Sequence, residues 1–144
     1  MIRPEQPADY AAIRALHTRA FAPSDIEEQI VDALRADHDH VPELCLVAID
    51  NDEVVGHVML SEAIVGGNHK ALGLGPIAVD PAHQNHGIGA ALMRAAIERA
   101  QTTEYALIAL LGHPGYYPRF GFAPAAETLE VTTVSYTHLT LPTN

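Results

Sequence analysis

The 144 residues predict a single domain of the α/β or α+β class, in which a mixed, mostly antiparallel sheet is flanked by helices. Two helical patterns come first, and a meander of apolar segments separated by short polar turns follows them. A third helical pattern then precedes a nearly all-apolar segment, as expected of a strand covered on both faces. The length is that of one compact domain.

The first elements are a short strand and two helices. Residues 2–3 open the strand, and the first helix is expected over about 7–20, since proline is favoured at the first helical position. The second helix has a clearer start, because Ser24 and Glu27 have the spacing of a capping box. Its apolar stripe is expected to be buried and consists of Ile26, Ile30, Ala33 and Leu34.

Polar turns separate the strands. Residues 37–42 hold two histidines and two aspartates, and we expect a solvated loop there because no third and fourth ligands follow at zinc spacing. Residues 50–53 have the composition of a hairpin turn, and Gly66-Gly67-Asn68 indicates another turn. The predicted strands are 43–49, 54–61, 71–79 and 105–111.

The segment that carries most information lies between the strand 71–79 and a helix over about 87–100. It has the sequence Gln84-Asn85-His86-Gly87-Ile88-Gly89-Ala90. Glycines at two positions leave the backbone open to a ligand, and the first amides of a helix have no partner of their own. Several N–H groups can therefore converge on one anion, and a pyrophosphate fits such a site.

Other phosphate-binding motifs do not fit this segment. A P-loop needs a lysine after its glycines, and none follows here. A dinucleotide fingerprint needs a third small residue, where this chain has Leu92, and an acid near residue 107, where it has only apolar residues. From spacing alone, a glycine-rich turn without a ligand stays open.

Composition limits the possible partners. The formal charge of −10 has the wrong sign for binding nucleic acid or anionic lipid, and no apolar run is long enough to cross a membrane. No acid lies between Pro81 and Ile97, so an anionic ligand can still bind there. Cys45, the single cysteine, excludes an internal disulfide. We expect a cytoplasmic protein without nucleic-acid or membrane partners.

Two segments resemble a known family. Residues 75–92, G-P-I-A-V-D-P-A-H-Q-N-H-G-I-G-A-A-L, closely resemble the signature of the GNAT superfamily of N-acetyltransferases, a strand followed by [QR]-x-x-G-x-[GA] and a helix. Residues 112–122, G-H-P-G-Y-Y-P-R-F-G-F, resemble a segment of a group of small bacterial GNAT proteins. The similarity runs from residue 1 to about 126.

The resemblance implies the GNAT fold and transfer of the acetyl group of acetyl-CoA to a primary amine of a small molecule or peptide. Backbone groups of Ile77, Ala78 and Val79 would bind the pantetheine arm, and the amides of 84–90 would bind the pyrophosphate. Most family members have Arg or Lys at the place of His86. Tyr117 matches the family's usual tyrosine, the proposed acid for the departing thiolate.

Several assignments stay open on the sequence alone. Tyr117 could instead be an aromatic that packs beneath the last strand, and the protein could be a binding module that senses acyl-CoA without turnover. Variable loops would set the acceptor, and a homodimer is possible. Candidates for the general base, beside a relayed water, are Glu43, Glu62, His57 and His113.

The C-terminal end is expected to differ from the rest of the chain. Residues 134–143 look like one reading frame of a sequencing-library adaptor, so the predicted domain covers 1–133 and the predicted non-native tail 134–144. The family's fold normally has two more strands at this end. We expect at most one of them, about 128–133, and no specific contacts after about Val134.

Overall fold

A computed structural model describes residues 1–65, 69–105, 107–111, 120, 123–124 and 138–142. Short 3-10 helices at Pro7–Asp9, Pro42–Leu44 and Pro81–His83 connect the regular elements. The helices are α1 (Tyr10–Phe21), α2 (Ile26–Ala36) and α3 (Ile88–Ala100). The strands are β1 (Ile2–Pro4), β2 (Leu46–Asp50), β3 (Glu53–Val65), β4 (His69–Val79), β5 (Leu107–Leu111), β6 (Ala123–Pro124) and β7 (His138–Pro142).

The strands form one sheet in the order β1-β2-β3-β4-β5-β7-β6. β4 and β5 are parallel, and every other neighbouring pair is antiparallel. The predicted mixed, mostly antiparallel sheet is therefore confirmed. The β2–β3 hairpin turns at Asn51 and Asp52, which both have positive φ, 49° and 62°, as a two-residue type I′ turn requires. The predicted turn at 66–68 lies outside the described residues.

The sheet opens between its two parallel strands. β4 pairs with β5 only from Ala71 to Gly73, whereas its pairing with β3 continues to Val79. Within the described part of the chain, no strand pairs with the other edge of β4 beyond Gly73. An opening therefore lies beside the second half of β4.

Helices cover both faces of the sheet. On one face, α3 packs through buried Leu92, Met93 and Ala96 on a cluster that includes Val58 and Leu60 of β3. Gly56 leaves room for this approach, since an added Cβ would lie 2.9 Å from side-chain atoms of both Ile88 and Leu92, which would have to shift. The opposite face lies beneath α1 and α2, with buried Val31 against Cys45 and Met59.

The predicted apolar stripe of α2 is confirmed only for Leu34, which is half-buried against the core, and is wrong for the three other residues, which are exposed. Ile26 and Ile30 are 61% and 43% exposed, and Val31 is the buried residue of this helix. On the inner side of this helix, Arg35 also forms an ion pair with the buried carboxylate of Glu5. The predicted cap also shifts by one residue. Asp25 is the N-cap, while the Ser24 hydroxyl donates to Glu27 at 3.0 Å.

The expected absence of specific contacts after Val134 is also wrong for part of that segment. β7 pairs antiparallel with all five residues of β5, from Leu107↔Pro142 to Leu111↔His138. Backbone pairing needs no particular side chains, so this segment can complete the sheet whatever its origin. That origin stays a prediction, and the predicted strand 128–133 lies outside the described residues. No helix in the described ranges is long and apolar enough to span a membrane.

Candidate functional site

The loop between β4 and α3 presents unpaired amides to solvent. The first hydrogen bond of α3 runs from Ala91 N–H to Gly87 C=O at 3.0 Å. In the part of the chain that the structure describes, no acceptor receives the N–H groups of residues 84–90. Gly87 is the N-cap, with φ 79°, a conformation that favours glycine. Residues 84–87 are exposed. This geometry suits an anion at the positive end of the helix.

Asp80 fixes the start of this loop. Its carboxylate accepts a hydrogen bond from Ala82 N–H at 2.9 Å, which caps the 3-10 helix Pro81–His83. The Arg19 guanidinium donates to the other oxygen of Asp80 at 2.9 Å. The hydrogen bond from Ala82 N–H, together with the weaker effect of Arg19, outweighs burial and holds the pKa of Asp80 below its usual value. The loop is thereby tied to α1 as well as to β4.

The side chain at position 86 lies against the backbone of the loop. His86 is exposed, and its Nδ1 lies 3.2 Å from the His83 carbonyl oxygen, to which it can donate. A crevice of about 310 Å³ runs beside the loop, between Gly87 and Ile88 on one side and β2 residues Ala48 and Ile49 on the other.

The predicted residues Ile77, Ala78 and Val79 lie on β4, next to the opening of the sheet. They pair on one side with Val58, His57 and Gly56 of β3. Their other edge faces the opening and has no partner strand in the described ranges. Ala78 is buried, while Ile77 and Val79 are half-buried. The unpaired edge leads directly into the loop at 84–90.

His57, one of the candidate bases, is fully buried and belongs to a network of long-range contacts that no local sequence pattern indicates. Its Nε2 lies 2.8 Å from Glu5 Oε1 and its Nδ1 lies 2.9 Å from His17 Nε2. Glu5 also forms an ion pair with Arg35. Because the carboxylate can only accept, His57 donates from Nε2 and accepts at Nδ1 from His17. Both nitrogens of His57 are therefore occupied.

Two of the other candidate bases, Glu43 and Glu62, belong to the described residues, and Glu62 pairs with Leu72 of β4, one residue before Gly73. Glu62 accepts a hydrogen bond from the Tyr105 hydroxyl. This bond, followed by burial, raises the pKa of Tyr105 to about 12. Glu43 is exposed in the 3-10 helix Pro42–Leu44. Tyr117 and His113 lie outside the described residues.

Comparison with known proteins identifies this architecture. The sequence model of the acetyltransferase (GNAT) domain matches residues 1–125. The chain belongs to the GNAT acetyltransferase family. The fold, the activity class and the resemblance predicted from residues 75–92 and 112–122 are thereby confirmed at the level of this family.

Relatives of this GNAT domain include two proteins of Escherichia coli strain K12. The uncharacterized N-acetyltransferase YjhQ is 36% identical over 122 residues, which cover 83% of this chain and 67% of YjhQ. The uncharacterized N-acetyltransferase YhbS is 37% identical over 129 residues, which cover 88% of this chain and 75% of YhbS.

Two solved structures of GNAT proteins share the fold. A GNAT family acetyltransferase from Brucella melitensis, in complex with acetyl-CoA, has a TM-score of 0.83 and 37% identity, covering 99% of this chain and 86% of its own. YhbS from Escherichia coli, in complex with CoA, has a TM-score of 0.88 and 30% identity, and the match covers 100% of this chain and 81% of the YhbS chain. These complexes agree with acetyl-CoA as the cosubstrate that the resemblance implied.

Proposed function

We propose that this GNAT domain transfers the acetyl group of acetyl-CoA to a primary amine of a small molecule or peptide. The observation that carries the proposal is the row of unpaired amides at 84–90, which continues the unpaired edge of β4. A single ligand with an anionic end and an extended arm that carries amides would bind the loop amides through its anionic end and the edge of β4 through its arm. A CoA thioester has this chemistry, and the solved GNAT complexes with acetyl-CoA and CoA support the choice.

The residues present fit a pyrophosphate in the loop. At Gly87 an added Cβ would meet no atom of the described residues within 4 Å apart from its two chain neighbours, which leaves room for an anion at these amides. Charge at a helix N-terminus contributes about 0.3–1 kcal/mol when exposed and up to about 2 kcal/mol when partly buried. Backbone hydrogen bonds to the charged oxygens add to this, so binding does not depend on the side chain of His86.

The edge of β4 would hold the arm of the cosubstrate. Backbone groups of Ile77, Ala78 and Val79 would pair with its amides as a further strand pairs with a sheet. Because the pyrophosphate would lie beyond the end of β4, the arm would run back along the strand, and the acetyl group would lie toward Gly73.

Tyr117 would serve the departing sulfur. A phenol with an ordinary pKa near 10 stays protonated at neutral pH, whereas a thiol has an ordinary pKa near 8.5. Complete proton transfer from phenol to thiolate is therefore uphill by about 2 kcal/mol, and Tyr117 would act mainly as a hydrogen-bond donor. Its contribution would be made only as charge develops on the sulfur.

The variable segments 36–42 and 63–70 would set the acceptor amine, although residues 63–65 and 69–70 belong to β3 and β4 and not to a loop. The chain is acidic, with a formal charge of −10, which favours approach of a cationic amine over an anionic one. The protein would act in the cytoplasm.

Thiol release from acetyl-CoA tests this function across a broad panel of primary amines. We expect at least one amine to accelerate release, and Tyr117→Phe to lower kcat by roughly tenfold to a thousandfold while acetyl-CoA binding stays nearly unchanged. Binding of CoA, measured by calorimetry, without turnover on any amine would favour the sensor function instead. A wild-type kcat in Tyr117→Phe would indicate instead that Tyr117 only packs beneath the last strand.

A further inference from the structure

A short row of residues crosses the sheet at the point where it opens. His40 forms an isolated antiparallel bridge with Ser61 of β3, and Ser61 pairs with Gly73 of β4. Gly73 is the last residue of β4 that pairs with β5. Directly paired residues project from the same face of a sheet, so the side chains of His40 and Ser61 share a face with Gly73.

This polar row lies on the face beneath α1 and α2. An added Cβ at Gly73 would lie 3.3 Å from Ser61 Oγ, which shows that the two positions adjoin on one face. Leu72 and Leu74, on either side of Gly73, belong to the core on the opposite face. Ser61 lies between His40 and Gly73 in this row, and neighbouring strands are about 4.8 Å apart, so His40 lies two strand spacings from Gly73.

The backbone holds His40 firmly in this row. Val41 N–H donates to Leu60 C=O at 2.9 Å, and Glu62 N–H donates to Asp39 C=O at 2.8 Å. These bonds fix the residues on both sides of His40 against β3. The imidazole Nδ1 is buried and has no hydrogen-bond partner among the described residues. A buried polar atom of this kind is one that a ligand or its bound water would satisfy.

We propose that His40 is the proton acceptor for the attacking amine. This inference rests on the proposed function, which places the acetyl group near Gly73. The amine nitrogen bonds to the thioester carbonyl carbon, and the carbon–sulfur bond breaks with its electron pair going to sulfur. The nitrogen's proton passes to neutral His40, directly or through a water beside Ser61, and then to solvent. The thiolate takes up a proton to complete the exchange of amine and thioester for amide and thiol.

The matched variants His40→Asn and His38→Asn test this role by acetyl transfer to an amine found by thiol release. His38 lies two residues away in the same loop, is exposed, and has a φ of 56° that asparagine tolerates. We expect His40→Asn to lower kcat at least tenfold, with the KM for acetyl-CoA within twofold of wild type, and His38→Asn to keep the wild-type kcat. An unchanged kcat in a folded His40→Asn protein would overturn the assignment.

A second measurement needs no acceptor. In protein with isotope-labelled histidines, the ring signals of His40 are expected to differ between the CoA and acetyl-CoA complexes, because only the second places an acetyl group beside the polar row. The signals of His38 should be the same in both. Failure of CoA to bind, seen by calorimetry, would count against the proposed function itself. Binding with identical His40 signals in the two complexes would overturn this inference alone.

Discussion

Gly87 and Gly89 lie two residues apart, but a side chain would affect them differently. Gly87 has a φ of 79°, so a β-branched residue such as valine would strain the backbone there. Gly89 is helical, and an added Cβ would lie 3.6 Å from Val79 Cγ2, an ordinary van der Waals contact. A substitution at Gly89 can therefore change the ligand site without disturbing the fold.

At this scale we predict that Gly89→Val weakens CoA binding by roughly tenfold or more, about 1.4 kcal/mol. The branched side chain would stand beside the amides at which the pyrophosphate is expected. Glu98→Val provides a control, since it places the same residue at an exposed position of the same helix. Calorimetry should give wild-type affinity for the control. Equal affinities for both folded variants would remove the pyrophosphate assignment.

At the scale of elements, the buried network of Glu5, His17, Arg35 and His57 joins four parts of the fold. Glu5 follows β1, and the other three residues lie on α1, α2 and β3. Arg35 also lies over the ring of Tyr10, with its guanidinium carbon 3.8 Å from the ring centroid. Removing one partner would leave another polar group buried without compensation, which is costly.

The environment of the network keeps its histidines neutral. Burial, with a smaller effect from His57, lowers the pKa of His17 to about 3, and burial also lowers the pKa of His57. Burial alone would raise the pKa of Glu5, but hydrogen bonds from His57 and Arg35 outweigh it, so the net shift is downward. All three shifts make the folded state bind fewer protons than the unfolded state in mild acid.

We therefore predict that the free energy of unfolding falls as the pH drops below about 6.5, the pKa of unfolded histidine, toward about 3, the folded value for His17. The expected slope is about 1.4 kcal/mol per pH unit for each histidine kept neutral. Urea denaturation at a series of pH values measures it. His17→Leu should lower the slope by about 1.4 kcal/mol per pH unit, the contribution of one proton. His86→Asn, at an exposed position, should leave the slope unchanged. A flat profile between pH 5 and 7 would contradict the burial argument.

At the scale of the whole molecule, β7 determines how β5 is held. β5 pairs through three residues with β4 but through five with β7. Since β4 and β5 separate beyond Gly73, most of the ladder that fixes β5 comes from the C-terminal segment. An uncovered β5 would also expose an edge at which another chain could pair.

Deletion of residues 138–144 is therefore expected to lower Tm by several degrees. The deletion removes the hydrogen bonds of five paired residues, and each bond contributes about 0.5–1.5 kcal/mol to stability. Deletion of residues 143–144 alone is the control and should leave Tm unchanged. Thermal unfolding followed by circular dichroism measures both. An unchanged Tm after the longer deletion would restore the expectation that this segment makes no specific contacts.

The sequence by itself determined the class of the fold, the loop at 84–90 and its likeness to the GNAT signature. These follow from local rules, because periodicity, turn residues and helix starts depend on neighbours within a few positions. The role of the glycines at 87 and 89 could be predicted in the same way, since their effect on the backbone is local.

Only the tertiary structure decided which residues meet across the sheet. The row of His40, Ser61 and Gly73 comes from three separate segments, and the pairing of Glu5 with His57 spans 52 positions. The buried side of α2 was likewise visible only in the fold, where Val31 and Leu34 pack against β3 and the residue that precedes β2 while Ile26 and Ile30 stay exposed. Such contacts depend on strand register and helix packing, which no local pattern in this chain specifies.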